Sequence, residues 1–544
     1  MIARRTGECR GRTSARVCPM TMVGGLAFGL LLFGSGCAVG PRYSKPAATV
    51  PPAYKEEPPN WETAQPSDQV ARGTWWEIFQ DPQLNTLEEQ INVSNQNLKA
   101  AQAQFAQARA LVRLNRADYY PTVTAGVSGT REHLSQNRPF VLTTTKANAT
   151  DLVIPVDVSY EADVFGPVRR TVEAARSNAQ ASAGDLESLN LSLHAELALD
   201  YFDLRTLDAE EQLLNSTVDA FQKALDLTQN RYKGGVASAV DVAQAQTQLE
   251  TTGAQSIDVE VQRSADEHAI AVLIGKPASS FAIPFSPWNT APPVIPPGLP
   301  SDLLERRPDI AAAERRVAAA NAQIGVARAA YFPAIALSGA GGFESASITT
   351  WLSGPSGFAT AGASAVVTAF DAGRRRAINE QARAAYDQSV ASYRQTILTA
   401  FEEVEDSLAA LRILEDESKT QQAAVAAAEH SLDLSNNRYK GGVVTYLEVI
   451  TAQSIALSDE RTAVVILRRR MAASVSLIKA LGGGWSTANL PWLRSHDPSL
   501  LTASDLASGR STVVPVFPCG NVIRQALGGD VAERVVDTSV GLRI

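Results

Sequence analysis

Apolar residues recur in steps of three and four along two long stretches of the chain. Leu204, Leu207, Leu214, Val218, Phe221, Leu225 and Tyr232 form one stripe; Leu411, Leu414, Val425, Ala428, Leu432 and Tyr439 form another. This heptad-like spacing predicts long helices packed side by side in a coiled coil or helical wall. No proline falls between Pro167 and Pro277, or between Pro355 and Pro491, so nothing in either span breaks a helix. The run from Arg169 to Arg231 alone predicts a helix of roughly 90 Å. Elsewhere the period changes to two. Val123, Ala125 and Val127 alternate with Thr122, Thr124, Gly126 and Ser128, and Leu152, Ile154, Val156, Val158 and Tyr160 alternate with polar neighbours. A fainter copy comprises Ile335 and Leu337, then an alanine-rich run from Ala359 to Ala369. Such alternation predicts strands of a barrel wall with an apolar outside and a wet lumen. A soluble antiparallel sheet over a helical core would give the same pattern.

The chain also repeats itself. Asn230-Arg231-Tyr232-Lys233-Gly234-Gly235-Val236 recurs letter for letter at Asn437-Arg438-Tyr439-Lys440-Gly441-Gly442-Val443. Ala117-Asp118-Tyr119-Tyr120-Pro121 returns as Ala329-Ala330-Tyr331-Phe332-Pro333, and Phe165 with Arg169-Arg170 returns as Phe370 with Arg374-Arg375. Two halves of about 200 residues therefore share one order of elements: helix, two strands, long helix, turn, long helix. The expected division is a leader over 1–36, an anchored extended segment over 37–84, a first repeat over 85–275 and a second over 301–484. A proline-rich linker over 276–300 joins the repeats, and 485–544 forms a loosely ordered tail without an assigned function.

In each half the repeated Gly-Gly ends the ascending helix. Cations in the last turn suit the negative helix end, and glycine supplies a left-handed cap. Asp241 and Glu448 fall in the opening turns of the returning helices, where an acid is favoured. Each half thus predicts a long helical hairpin with a sharp tip.

Composition narrows the function. A net charge of -8 provides no basic footprint for nucleic acid. The four cysteines (Cys9, Cys18, Cys37, Cys519) form no CxxC pair, the five histidines are scattered singly, and no nucleophile–base pair or phosphate loop is visible, so neither enzyme nor cofactor is expected. Arg4, Arg5, Arg10, Arg12 and Arg16 precede an apolar stretch from Val23 to Phe33, as in a signal peptide. Gly34, Ser35 and Gly36 then lead into Cys37. That arrangement resembles a lipobox, which implies acylation of Cys37, although Gly34 stands where leucine is usual. Ordinary signal cleavage is the competing reading. No later stretch reaches the run of about twenty apolar residues that a membrane helix needs. Four strands cannot close a barrel, because barrels begin at about eight and open edges are not tolerated in lipid. If the strands cross a membrane, several copies must share one barrel.

Three motifs then point to a family. Trp75-Trp76-Glu77-Ile78-Phe79-Gln80-Asp81-Pro82-Gln83-Leu84, the segment Ala38-Val39-Gly40-Pro41-Arg42-Tyr43, and Leu303-Leu304-Glu305-Arg306-Arg307-Pro308-Asp309-Ile310 with its continuation to Phe332-Pro333 resemble TolC-like outer-membrane efflux proteins of the NodT-like lipoprotein branch. The resemblance implies a mainly α fold: a homotrimer with a twelve-stranded outer-membrane barrel and a periplasmic α-barrel. It implies a passive conduit for drugs or other solutes, served by a periplasmic adaptor and an inner-membrane resistance-nodulation-division pump. It places adaptor contacts at Gly235, Val236, Gly442 and Val443, and a periplasmic gate at Asp241, Tyr439 and Glu448, with Tyr439 bonded to Asp241. An arginine found in some members two residues after the second tip glycine is absent, Val444 standing there. A simple capping role for the glycines and acids is the alternative at each position. A periplasmic coiled-coil adaptor or scaffold lipoprotein is the alternative for the whole chain, but it would lack the strands and the duplication.

Overall fold

A computed structural model describes residues 38–56, 74–133, 135, 148–288, 290–295 and 303–487. The leader, Cys37 and the tail beyond 487 lie outside the described residues. The first repeat comprises α1 (Pro82–Ser94), α2 (Gln96–Ala117), β1 (Thr122–Ala125), β2 (Ser128–His133), β3 (Asn148–Ala162), α3 (Pro167–Lys233) and α4 (Ala239–Leu273). The second comprises α5 (Leu303–Arg306), α6 (Pro308–Ala329), β4 (Ala334–Ser345), β5 (Gly357–Val366), α7 (Arg374–Lys440) and α8 (Tyr446–Ala480). Helices α3 and α7 are each 67 residues long, which at 1.5 Å per residue is about 100 Å. Both start the same way. The Asp163 carboxylate accepts from the backbone N–H groups of Val168 and Arg169, and Asp371 accepts from those of Gly373 and Arg375. These carboxylates satisfy donors that a helix start leaves unpaired and complement its positive end.

The strands form one antiparallel sheet in the order β1–β2, β3, β4, β5, with β1 and β2 both on β3. Thr122 faces Ser159 and Ser128 faces Val153, so the register does not slip between β1 and β2. The ladder is interrupted because Pro155, opposite Gly126, has no N–H to give; the Gly126 N–H still donates to the Pro155 carbonyl at 3.1 Å. On its other side Pro155 faces Gly342. A Cβ at Gly342 would collide with the Ile154 carbonyl oxygen, so only glycine lets β4 approach there. The apolar residues of β3 share one face, and the alanines of β5 continue it.

The main core lies where the helices of both repeats converge on the amino-terminal segment. Trp75, Trp76 and Phe79 pack there against α1 and the middle of α3, with Tyr201, Phe202 and Leu204 fully buried. Trp76 stacks on His194 at 4.5 Å, and His194 Nδ1 lies 2.6 Å from the buried Glu88 carboxyl. Burial pushes the Glu88 carboxyl well up and brings His194 down to about 4. Desolvation thus favours the neutral form of both groups.

The segment after Lys276 is extended and docked along α3 and α4. Asp208, fully buried, accepts from the Arg205 guanidinium at 3.0 Å, the Arg263 guanidinium at 2.6 Å and the Ser286 N–H at 2.9 Å. Arg205 also donates to the Pro284 carbonyl at 2.7 Å and Arg263 to the Ile283 carbonyl at 2.9 Å. Two arginines and one aspartate thus fasten the linker to the middle of the first hairpin.

Candidate functional site

At the hairpin tips the repeated sequence produces the same backbone twice. Gly235 and Gly442 adopt φ of 73° and 74°, left-handed values that glycine reaches without steric cost. The Gly235 N–H donates to the Tyr232 carbonyl and the Val236 N–H to the Arg231 carbonyl; Gly442 and Val443 repeat this on Tyr439 and Arg438. This is a Schellman cap, which pairs the carbonyls that a helix end leaves free. The caps leave Val236 and Val443 68% and 71% exposed. A side chain at Gly235 would meet nothing within 4 Å, and one at Gly442 would meet only the Arg231 guanidinium, at 4.0 Å. The tips are therefore open toward solvent, with apolar and small residues foremost.

Just beyond the tips the two acids are held differently. Ser238 and Asp241 form a reciprocal capping box on α4: the Ser238 N–H donates to the Asp241 carboxylate at 2.8 Å, and the Asp241 N–H donates to Ser238 Oγ at 3.2 Å. Glu448 pairs with Arg438 across the second tip at 2.5 Å. Tyr439 is buried with Leu225, Ala245, Tyr446 and Val449, whereas its copy Tyr232 is 51% exposed. The Tyr439 hydroxyl sits 3.4 Å from Thr228 Oγ1. The resemblance implied a bond between Tyr439 and Asp241; here the hydroxyl is within reach of Thr228, and the Asp241 carboxylate accepts from Ser238. Sequence reasoning also passed over Arg231. Its guanidinium lies over the Tyr439 ring at 4.6 Å and donates to the Lys440 carbonyl at 3.2 Å, joining the two hairpins. Its place in the duplicated heptapeptide was the available signal.

At the opposite end of α3 and α7, aromatic residues collect where strands become helices. Phe165 stacks on Phe332 at 4.8 Å, Arg375 covers Tyr331 at 5.4 Å, and Phe370 and Tyr120 are 86% and 72% exposed. A ring of aromatics at one rim is what a barrel presents at a membrane–water boundary. These residues mark the duplication in the sequence, but only the fold gathers them at one level. The segment after Cys37 docks at the same level. The Val39 N–H donates to the Phe165 carbonyl at 3.1 Å, the Arg170 guanidinium donates to the Val39 carbonyl at 3.2 Å, and a Cβ on Gly166 would touch Ala38 at 2.9 Å. No described helix is long and apolar enough to cross a membrane.

A sheet only four strands wide, with both edges unpaired among the described residues, is mounted on helices of about 100 Å. The far ends of those helices carry the exposed glycine tips. Residues 87–276 and 299–483 match the outer membrane efflux protein family, and the chain belongs to it. It is 33% identical over 454 residues to the probable efflux pump outer membrane protein TtgC of Pseudomonas putida, covering 83% of this chain and 93% of that one. It is 30% identical over 464 residues to the cation efflux system protein CusC of Escherichia coli, covering 85% and 98%. Among solved structures, the outer-membrane channel OprN superposes with a TM-score of 0.76 at 31% identity, over 82% of this chain and all of that one.

Proposed function

We propose that three copies of this chain form an outer-membrane duct, the passive exit of a tripartite efflux pump. The observation that carries this reading is the open-edged four-stranded sheet in a chain of the efflux family. Such a sheet is stable in lipid only when its edges are paired, and three copies supply the twelve strands of a closed barrel. The helical hairpins then line a periplasmic tunnel. An inner-membrane pump of the resistance-nodulation-division class supplies the energy, and a periplasmic adaptor meets the tips at Gly235, Val236, Gly442 and Val443. The duct itself catalyses nothing. Cys37 carries lipid, a reading supported by the docking of Ala38 and Val39 at the aromatic rim, where an acyl chain on the preceding residue reaches the bilayer. Relatives named for antibiotic, toluene and cation efflux match this chain over 83%, 83% and 85% of its length. The architecture therefore does not select the cargo, and we assign none. An adaptor or scaffold role is disfavoured both by the family and by the sheet.

The mouth of the duct is the proposed gate, with Asp241 and Glu448 as acidic rings and Tyr439 with Arg231 holding the hairpins together. A carboxylate about 5 Å from a permeating cation is worth about 1 kcal/mol in water. Replacing Glu448 by Ala in all copies is therefore expected to lower cation-over-anion preference at least about fivefold in planar-bilayer recordings. Loss of the Arg438 pair also raises the open fraction. Unchanged conductance and selectivity would remove Glu448 from the gate. Failure of the purified wild-type protein to conduct at all would count against the duct itself.

A further inference from the structure

We propose that β5 of one copy pairs antiparallel with β1–β2 of the next in a single register, with Ser364 facing Ser128, Ala363 facing Gly129, Ala365 facing Val127 and Val367 facing Ala125. The inference rests on the shared-barrel reading and specifies its seam residue by residue.

The duplication supplies the register. Strands β1–β2 and β4 correspond end to end, Thr122 to Ala334 and His133 to Ser345. Helices α3 and α7 also correspond end to end, Pro167 to Arg374 and Lys233 to Lys440. Carried back through the preceding strand at the same spacing, this places Ser159 on Val366. Observed pairing agrees: Thr122 faces Ser159 in the first hairpin, and Ala334 faces Val366 in the second. Far from the sheet the correspondence also holds. Asn95 Nδ2 donates to the Leu273 carbonyl at 2.8 Å, and at the matching positions the Arg307 guanidinium donates to the Ala480 carbonyl at 3.0 Å.

One junction between repeats lies within the chain, where Val156 faces Gly341, Asp157 faces Ala340, Val158 faces Gly339 and Tyr160 faces Leu337. The junction between copies joins the same two kinds of strand. Moving each residue to its counterpart turns those four pairs into Ala363–Gly129, Ser364–Ser128, Ala365–Val127 and Val367–Ala125. Side-chain direction agrees as well. The Gly126 N–H bonds to β3, so the N–H and C=O groups of Val127 and Gly129 point to the free edge. The proposed register sets the alanine face of β5 beside the apolar face of β1–β2. A slip by one residue would bury the polar face in lipid. A slip by two would keep the faces, and there the duplication decides.

Ser128 and Ser364 form a non-hydrogen-bonded pair in this register, with Cα atoms about 4.5 Å apart, within disulfide range. In one copy they lie on opposite edges of the sheet, about 14 Å apart across the strands and offset along β4 from Glu344 to Ala336, so any disulfide joins two copies. The test is oxidation of the Ser128→Cys/Ser364→Cys full-length chain in outer membranes, with Cys519→Ser as background. Covalent trimers on a non-reducing denaturing gel are expected, at least about tenfold above Ser128→Cys/Gly362→Cys and Ser128→Cys/Val366→Cys. Thr124→Cys with Thr368→Cys, the counterparts of Ala336 and Glu161, provides a second pair with the same expected result. Stronger cross-linking of either shifted pair, or none in the proposed pairs while native gels still show trimers, overturns the register. Absence of trimers in the unmodified protein overturns the shared barrel instead.

Discussion

Replacing Gly442 by Trp is expected to leave the assembled channel in the outer membrane and to cut resistance to whichever toxic solute it exports at least about tenfold. The chain itself offers no obstacle to the indole, since only the end of the Arg231 side chain comes as near as 4.0 Å. The left-handed φ of 74° costs any non-glycine residue about 1–2 kcal/mol, a small local price at an exposed turn. The damage must therefore come from whatever meets the tip. Gly442→Ala separates the two effects, because it carries the same backbone cost with almost no bulk. Growth inhibition and the trimer level on native gels are measured together. Near wild-type resistance for Ala with loss for Trp places the partner at the tip. Wild-type resistance for Trp would leave the glycine as a helix cap alone.

The largest expected effect on stability lies in the linker clasp at the middle of the first hairpin. Asp208→Ala removes the carboxylate that Arg205, Arg263 and the Ser286 N–H all address. Arg205 is 2% exposed and keeps the Pro284 carbonyl and the Gln83 side chain as partners, but its charge loses its counter-charge. Breaking a buried pair in this way costs about 3–5 kcal/mol, whereas a solvent-screened pair such as Arg376–Glu380 contributes little. Thermal melting of the detergent-purified protein, read against Glu380→Ala, measures the difference. Adding Arg205→Met to Asp208→Leu is expected to recover much of the loss, since a well-packed apolar pair avoids the desolvation cost. Equal melting of the Asp208 and Glu380 variants would contradict a clasp at this site.

The helical wall was legible because its signals are local and strong. Heptad steps and an identical seven-residue tip announce hairpins without any knowledge of tertiary structure. The tips were legible for the same reason, glycine being the one residue that takes the required φ freely. Strand β3 announced itself through Leu152, Ile154, Val156 and Val158, but β4 and β5 did so only faintly, through Ile335, Leu337 and the alanine run from Ala359. Gly339, Gly341 and Gly342 carry little hydropathy, and Gly342 is there because the Ile154 carbonyl leaves no room for a Cβ. The demand comes from a neighbouring strand far away in sequence. The clasp was invisible for a related reason: Arg205, Asp208 and Arg263 read as ordinary charges on solvated helices until folding brings the linker onto them. Only the fold shows that the proline-rich segment docks. Near the tips the bonds of Asp241 and Tyr439 were not legible. Ser238 captures Asp241 through a capping box, and the tyrosine meets Thr228 and Arg231.

A sheet that is a third of a barrel needs three chains, and the mass of the particle reads that number. Native mass spectrometry of the protein extracted from outer membranes is predicted to give three chains, each bearing acyl groups at Cys37, with no stable one-chain species. A single-chain particle that keeps its sheet in detergent would contradict the account, because two open strand edges would then have survived in lipid unpaired.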